Sequence, residues 1–333
     1  MKAVIVDRYG TKDGVRIGEM PEPEVREDDV LVEVHAAGVN LLDSKIRNGE
    51  FKRILAYRLP LVLGNDVAGV VVRVGSRVRR FRPGDEVYAR PDKDRIGTFA
   101  EFIAIREDDL ASKPRTLTME EAASIPLVGL TAWQVLMEKA NLKKGQQVFI
   151  QAGSGGVGTF AIQLAKHVGA TVATTTSTAN IDLVKGLGAD IVIDYKKADF
   201  EKILRDYDVV LNSQDGGTLE NSLRVLKPGG QLISISGPPD PDFGKEIGSP
   251  WFVKMITRLL SFGIRRKARR HNVSFSFLFM RASGSQLREI TALIDSGIIR
   301  PVVDRVFPFE ATREAMAYVE KGRAQGKVVV KVR

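Results

Sequence analysis

Residues 147–158 read Gln-Val-Phe-Ile-Gln-Ala-Gly-Ser-Gly-Gly-Val-Gly: an apolar strand, Gln147–Gln151, that runs straight into a glycine-rich loop. Behind it, Thr159–His167 carries Phe160, Ile162, Leu164 and Ala165 at helical spacing, which predicts a helix. Strand, loop and helix in this register make Gly153, Gly155 and Gly158 a dinucleotide-binding fingerprint. Gly153 is expected to permit the tight turn, Gly155 to let backbone approach a pyrophosphate, and Gly158 to let helix and strand pack closely. The diphosphate would rest on unpaired N–H groups at the helix N-terminus, where the dipole favours anions. Ser154, Gly156 and Val157 therefore join the three glycines as candidate cofactor contacts. The competing reading is a glycine-rich turn without a ligand. The register argues against it.

The next strand, Thr171–Thr176, should end where an acidic residue grips the ribose hydroxyls of NAD. It runs instead into Ser177, Thr178, Ala179 and Asn180, small donors that suit a 2′-phosphate. NADP(H) is favoured for that reason, with Asp182 the one acid close by. A helix at Ile181–Gly186 and strands at Ile191–Tyr195, Asp208–Ser213 and Gln231–Ser236 continue the alternation. Such a pattern predicts an α/β domain with a doubly wound parallel sheet.

Outward from this centre, 333 residues suffice for two domains with full cores. Residues 1–122 look all-β, with strands at Lys2–Val6, Val30–Ala36, Val67–Val74, Glu86–Ala89 and Thr98–Ile105. Thr118–Gly129 turns helical and opens a nucleotide domain over 123–298. Residues 299–333 return to strands, Pro301–Phe307 and Lys327–Val332, around a helix at Ala311–Lys321, and are expected to complete the first domain. No run is long and apolar enough to span a membrane, and no signal-peptide core precedes the first strand. The chain has no cysteine, which excludes disulfides, thiolate nucleophiles and cysteine-ligated zinc and fits a cytoplasmic location. His35, on a strand, and His167, at a helix end, form no metal set with His271.

The net charge of +9 is concentrated at Arg258–Arg270, preceded by Trp251, Phe252, Met255, Ile256, Leu259 and Leu260 at helical spacing. Two readings stand. One is an amphipathic helix lying on an anionic membrane surface. The other, preferred here as the simpler, is a helix packed near the active site or at a dimer contact, with a solvated charged tail. No aromatic-studded basic β face of the RNA-stacking type is evident, so no nucleic acid is expected.

Several stretches besides the glycine loop carry a resemblance. They include Ala37-Gly38-Val39-Asn40, Gly64-Asn65-Asp66-Val67-Ala68-Gly69, Phe81-Arg82-Pro83-Gly84-Asp85-Glu86-Val87-Tyr88, Leu130-Thr131-Ala132 and Gly326-Lys327-Val328-Val329. Together they resemble the medium-chain dehydrogenase/reductase superfamily, in its zinc-free quinone and enone reductase branch. The resemblance implies a GroES-like β-barrel domain beside a Rossmann domain, and commonly a homodimer. Where the zinc-dependent branch has Cys-His, this chain has Asn40-Leu41; where that branch has Gly-His-Glu, it has Gly64-Asn65-Asp66. No metal is expected.

Hydride chemistry without a metal needs an acceptor that requires little activation, such as a quinone or an α,β-unsaturated carbonyl, together with donors for the developing oxyanion. Lys45 is the candidate donor, matching a lysine in some plant enone reductases. A solvent-facing lysine in a salt bridge is the equal alternative. Asp43 is expected to orient its loop. By the same resemblance Asn40 sits beside the nicotinamide ribose and Thr131 at the same end of the cofactor, although capping would suit both residues. Ser177, Tyr195 and Arg323 would meet the 2′-phosphate, without the lysine that many relatives have near Asn180. Phe277-Leu278-Phe279 would line the nicotinamide pocket, or equally form a buried strand; Tyr57 and Trp133 are further pocket-wall candidates. A second functional reading, a dinucleotide-fold protein that binds a membrane or RNA through its basic surface, belongs to another class.

Overall fold

The computed structural model describes residues 1–10, 14–52, 55, 57–214, 216–246, 248 and 251–333, the side chains of Lys245, Glu246 and Phe252 excepted. In chain order the first strands are β1 (Lys2–Val6), β2 (Val15–Glu19), β3 (Asp29–Val39), β4 (Leu61–Val62), β5 (Val67–Val74), β6 (Glu86–Ala89), β7 (Phe102–Arg106) and β8 (Leu110–Ser112). Then come β9 (Gln147–Ile150), β10 (Thr171–Thr176), β11 (Ile191–Asp194), β12 (Tyr207–Asn212), β13 (Leu226–Ser234) and β14 (Ser274–Phe277), before β15 (Val303–Pro308) and β16 (Lys327–Lys331). The chain divides into two compact units, Met1–Leu130 with Arg281–Arg333, and Thr131–Met280.

In the second unit the strand order is β11-β10-β9-β12-β13-β14, every pair parallel. Two half-sheets wound outward from β9 give that order, the doubly wound α/β topology read from the sequence. Val148, Phe149 and Ile150 are all fully buried, as a central parallel strand covered on both faces requires.

The first unit is β-rich. One sheet has the order β2-β1-β4, and the other β15-β16-β3-β5-β6-β8 with β7 also on β3. The returning strand β16 lies antiparallel to β3, with Val328 opposite Val39 and Lys331 opposite Ala36. Valines from β3, β5 and β16 share one core with Phe99, Ile105 and Leu110.

The division departs from the sequence boundaries at both ends. Helix Met119–Ala123 packs on β3 and β5, and so belongs to the first unit rather than opening the second. Helix Gly284–Asp295 also joins the first unit, because Tyr88 donates to the Leu287 carbonyl at 2.7 Å and Thr291 to that of Ser112 at 3.2 Å. A Cβ on Gly284 would stand 2.1 Å from the Leu110 carbonyl oxygen, so glycine is what lets this helix seat on β8. The helix expected over Thr118–Gly129 is two helices. Thr118 and Glu121 form a reciprocal cap on the first, and Pro126 starts the second, Pro126–Trp133. The strand expected over Thr98–Ile105 begins only at Phe102; Phe99 instead exchanges backbone bonds with Leu63 and Val4.

Candidate active site

The nucleotide end is built on the loop between β9 and helix Gly156–Val168. The sharp turn falls on Ala152, at φ 51°, and not on Gly153 as the sequence reading had it. Gly153 is needed for another reason: a Cβ there would stand 2.1 Å from Thr174 Oγ1 on β10. At Gly158 a Cβ would meet the Ala152 carbonyl oxygen at 2.4 Å, which is the close helix–strand approach expected of it. At Gly155 the nearest atom would be 3.3 Å away and nothing else lies within 4 Å. Gly155 is the helix N-cap and offers no side-chain cap. The first N–H groups of Gly156, Val157 and Gly158 therefore end at an open glycine face, a cradle that fits a diphosphate.

Around this cradle, Ser154 Oγ takes hydrogen bonds from Thr176 Oγ1 at 3.0 Å and Asn180 Nδ2 at 3.1 Å, which pins the loop to the tip of β10. Ser177 begins the turn Thr178–Asn180 and is half-buried; Tyr195 is 60% exposed just beyond β11. The structure adds an acid here that the sequence reading had not counted. Thr178 Oγ1 donates to Asp194 Oδ2 at 2.5 Å, and that bond, with the Lys196 N–H, holds the carboxyl below its usual range. Asp194 is thus ionised but engaged, with Lys197 at 3.7 Å as a further partner. Phe277 and Phe279 are half-buried and set edge-on against buried Phe243, at centroid distances of 5.7 and 5.4 Å. Thr131 is buried and Trp133 half-buried at the start of this unit.

In the first unit a polar cluster lies under helix Leu41–Arg47. Asn40 is its N-cap, and Asp43 Oδ2 accepts the Asn40 N–H at 2.7 Å. Asp43 Oδ1 accepts from Asn65 Nδ2, also at 2.7 Å. Lys327, the first residue of β16, reaches in between. Its ammonium donates to Val39 O (3.1 Å), Asn40 Oδ1 (2.5 Å) and Asp66 Oδ2 (3.0 Å), which uses all three of its donors. Asn40 Nδ2 donates to the same Asp66 oxygen at 2.9 Å, and Asp66 Oδ1 accepts the Leu127 N–H at 2.6 Å. Every one of these side chains is buried. The positions where the zinc-dependent branch has its ligands thus hold two amides, a carboxylate, the exposed Leu41 and, among them, a lysine. A dication does not fit beside that ammonium. Among the described residues no group of three or more His, Cys, Asp or Glu could hold a metal.

Sequence reading had given Lys327 no role. The signal lies in the sequence: a lysine that leads straight into the buried valines 328–330 needs an acid, and Asp66 sits in another of the matched stretches.

Burial pushes the Asp43 carboxyl up to about 7, against the opposing pull of the Asn65 and Asn40 hydrogen bonds and the Lys327 charge. Between pH ~4 and ~7 the folded chain then keeps a proton that the unfolded chain releases, so stability should fall as pH rises through that window and level off above it. The drop from this group is on the order of 4 kcal/mol. Urea denaturation across pH tests it: Asp43→Asn should flatten the slope, whereas an identical slope in both proteins means Asp43 is ionised throughout.

Lys45 lies one turn into the same helix, half-buried, and its ammonium has no hydrogen-bond or ion-pair partner among the described residues. Its neighbours anchor the helix, since Ser44 Oγ and Arg47 both bind Glu320, at 2.7 and 2.9 Å. Tyr57 is half-buried with its hydroxyl on Lys93 O at 2.7 Å. Arg323 belongs to this unit and is exposed after helix Thr312–Glu320, whereas Ser177 and Tyr195 belong to the other.

Comparison with known proteins finds family matches in both units, the second of them running from the second unit on through the returning segment of the first. Residues 26–115 match the family described as alcohol dehydrogenase GroES-like domain, and residues 187–330 the family described as zinc-binding dehydrogenase. The chain is 37% identical over 341 residues to the 2-methylene-furan-3-one reductase of Solanum lycopersicum, covering 99% of this chain and 79% of that protein. The chloroplastic NADPH-dependent alkenal/one oxidoreductase of Arabidopsis thaliana matches equally, at 37% identity with 99% and 79% coverage. Among solved structures, the quinone oxidoreductase from Coxiella burnetii superposes with a TM-score of 0.87 at 32% identity, covering 100% of this chain and 99% of that one.

Proposed function

Since the chain belongs to the zinc-free quinone oxidoreductase and enone reductase branch of the medium-chain dehydrogenase/reductase superfamily, we propose that it is an NADPH-dependent oxidoreductase that reduces quinones or α,β-unsaturated carbonyls. The observation that carries the reading is the open glycine face at the uncapped start of helix Gly156–Val168. When bound there, NADPH supplies a hydride; the protein's part is placement and electrostatics. In this reading the N–H groups of Gly156, Val157 and Gly158 hold the diphosphate, with Gly153 and Ser154 fixing the loop. Ser177 and Tyr195 take the 2′-phosphate, with Arg323 as a third contact, and Phe277 and Phe279 form an apolar wall for the nicotinamide end, where Thr131 also bears.

Asn40 is read as a ribose contact, but its amide hydrogens face Asp66 and Gly38, so one lone pair of Oδ1 is what it has left to offer. Lys45 is read as the donor that stabilises negative charge on the substrate oxygen. The Lys327 ammonium, in the midst of the would-be ligand positions, supports a reaction without zinc. The same reading takes the working form to be a cytoplasmic homodimer; the absence of cysteine suits a reducing compartment.

The test is an assay of purified protein with NADPH and either a 1,4-quinone or an alkyl vinyl ketone. Turnover of at least one is expected, and no NADPH oxidation with either ends the proposal. In the same assay Ser177→Asp should weaken NADPH about tenfold or more through charge repulsion while NADH use holds. Equal loss with both cofactors would remove Ser177 from the phosphate site.

A further inference from the structure

Helix Trp251–Leu260 is built inside out. Among its described side chains Thr257 is the one buried, and Thr257 and the following Ser261 bond back to the helix. Its outward side is the apolar one, with Trp251 73% and Leu259 71% exposed and Met255, Ile256 and Leu260 exposed beside them. Exposed Phe262 continues that row into helix Phe262–Arg270, which turns Ile264 and Ala268 into the core and its arginines outward. A surface helix of a soluble protein normally does the reverse. Burying this row against solvent-exposed partners would gain about 1.5–3 kcal/mol per large side chain. Such a row calls for an occupant.

The charge says which. Residues 251–270 contain Lys254, Arg258, Arg265, Arg266, Lys267, Arg269 and Arg270 and no acid, so this segment carries +7 of the chain's +9. Lys267 is partnered by Glu220. Arg266, Arg269 and Arg270 instead line an open hollow of about 440 Å³ together with the ring of Phe262. Three arginines beside one shallow hollow, together with Phe262, suit a phosphate ester carried on an apolar tail. A second copy of the chain would set like charges face to face across a two-fold axis. A polynucleotide would have no use for aliphatic Leu259, Leu260 and Ile256.

We propose that this helix pair docks the protein on an anionic phospholipid surface. Trp251, Met255, Leu259 and Phe262 enter the boundary between headgroups and acyl chains, and Arg266, Arg269 and Arg270 hold headgroup phosphates. The inference stands independently of the catalytic reading.

Co-sedimentation of the full chain with phosphatidylcholine vesicles, with and without 30 mol% phosphatidylserine, is the test. Binding should appear with the anionic vesicles only and weaken as salt is raised. Each lost guanidinium should cost about fivefold, so Arg266→Ala/Arg269→Ala/Arg270→Ala should bind about 100-fold more weakly. Leu259→Ser/Leu260→Ser should also release the protein while leaving all the charge in place. Circular dichroism and soluble-substrate turnover, unchanged in both variants, exclude misfolding. Absence of binding to anionic vesicles would overturn the proposal. So would binding that ignores either set of changes, retention by RNA but not vesicles, or a dimer that Leu259→Ser/Leu260→Ser splits while vesicle binding persists.

Discussion

Replacing Lys45 by alanine should lower kcat about 100-fold and leave NADPH affinity where it was. Removing one preorganised donor from a developing oxyanion costs 10²–10³ in turnover. Lys45 is placed to lose that much, because among the described residues its ammonium has no carboxylate to neutralise it, while Ser44 and Arg47 on either side bind Glu320 and hold the helix still. A loss confined to kcat separates a group used in the transition state from one that only binds. Stopped-flow turnover of an alkyl vinyl ketone, beside a fluorescence titration of NADPH, reads the two quantities separately. Lys45→Arg should recover part of the rate, since it keeps a cation on the same helix. If Lys45→Ala turns over as fast as the parent, another group bears the charge.

The second large effect falls on stability. Lys327→Met should cost about 3–5 kcal/mol, because it leaves the Asp66 carboxylate buried beside Asn40 with its cation gone. Lys327→Met/Asp66→Asn should recover much of that loss, since an unpaired buried charge is worse than none. Both tryptophans, Trp133 and Trp251, lie in the other unit, so intrinsic fluorescence reports the wrong half of the molecule. Amide hydrogen exchange along β16 is the suitable reading, with faster exchange in the single variant and near-parental exchange in the double. Equal exchange in all three proteins would mean that the ion pair contributes nothing.

What the sequence disclosed followed from how local each signal is. β1, β5, β6 and β10 begin and end where composition put them, because β-branched runs bounded by glycine or turn residues carry their own limits. The strand at Thr98 was misplaced because Phe99 and Ala100 are buried by a loop that crosses to β1, and burial alone does not distinguish a ladder from such a crossing. Gly153 was assigned the turn that Ala152 makes, since the need for a bare Cα comes from Thr174, 21 residues further along the chain, a contact no local pattern reveals. Helix Gly284–Asp295 was assigned to the wrong unit because its amphipathic pattern names a buried face without naming what buries it. The polar cluster was the least legible. Its bonds join residues 22, 26, 261 and 287 positions apart, so the matched stretches marked where polar residues mattered but not that they meet.

The place of β16 has a bearing on how this protein is made. It follows β9 to β14 in the chain, yet it sits beside β3 in the interior of a sheet, not at its rim. The unit holding β9 to β14 has its whole chain available earlier and is free to fold during synthesis. The first unit has to wait. Until residue 327 emerges, the nascent chain carries Asp66 toward a hydrophobic interior with no ammonium to meet it, and β3 offers an unpaired edge that invites neighbouring chains. The penalty for burying Asp66 alone favours keeping this half open, and thus ready to receive β16, until residue 327 has emerged.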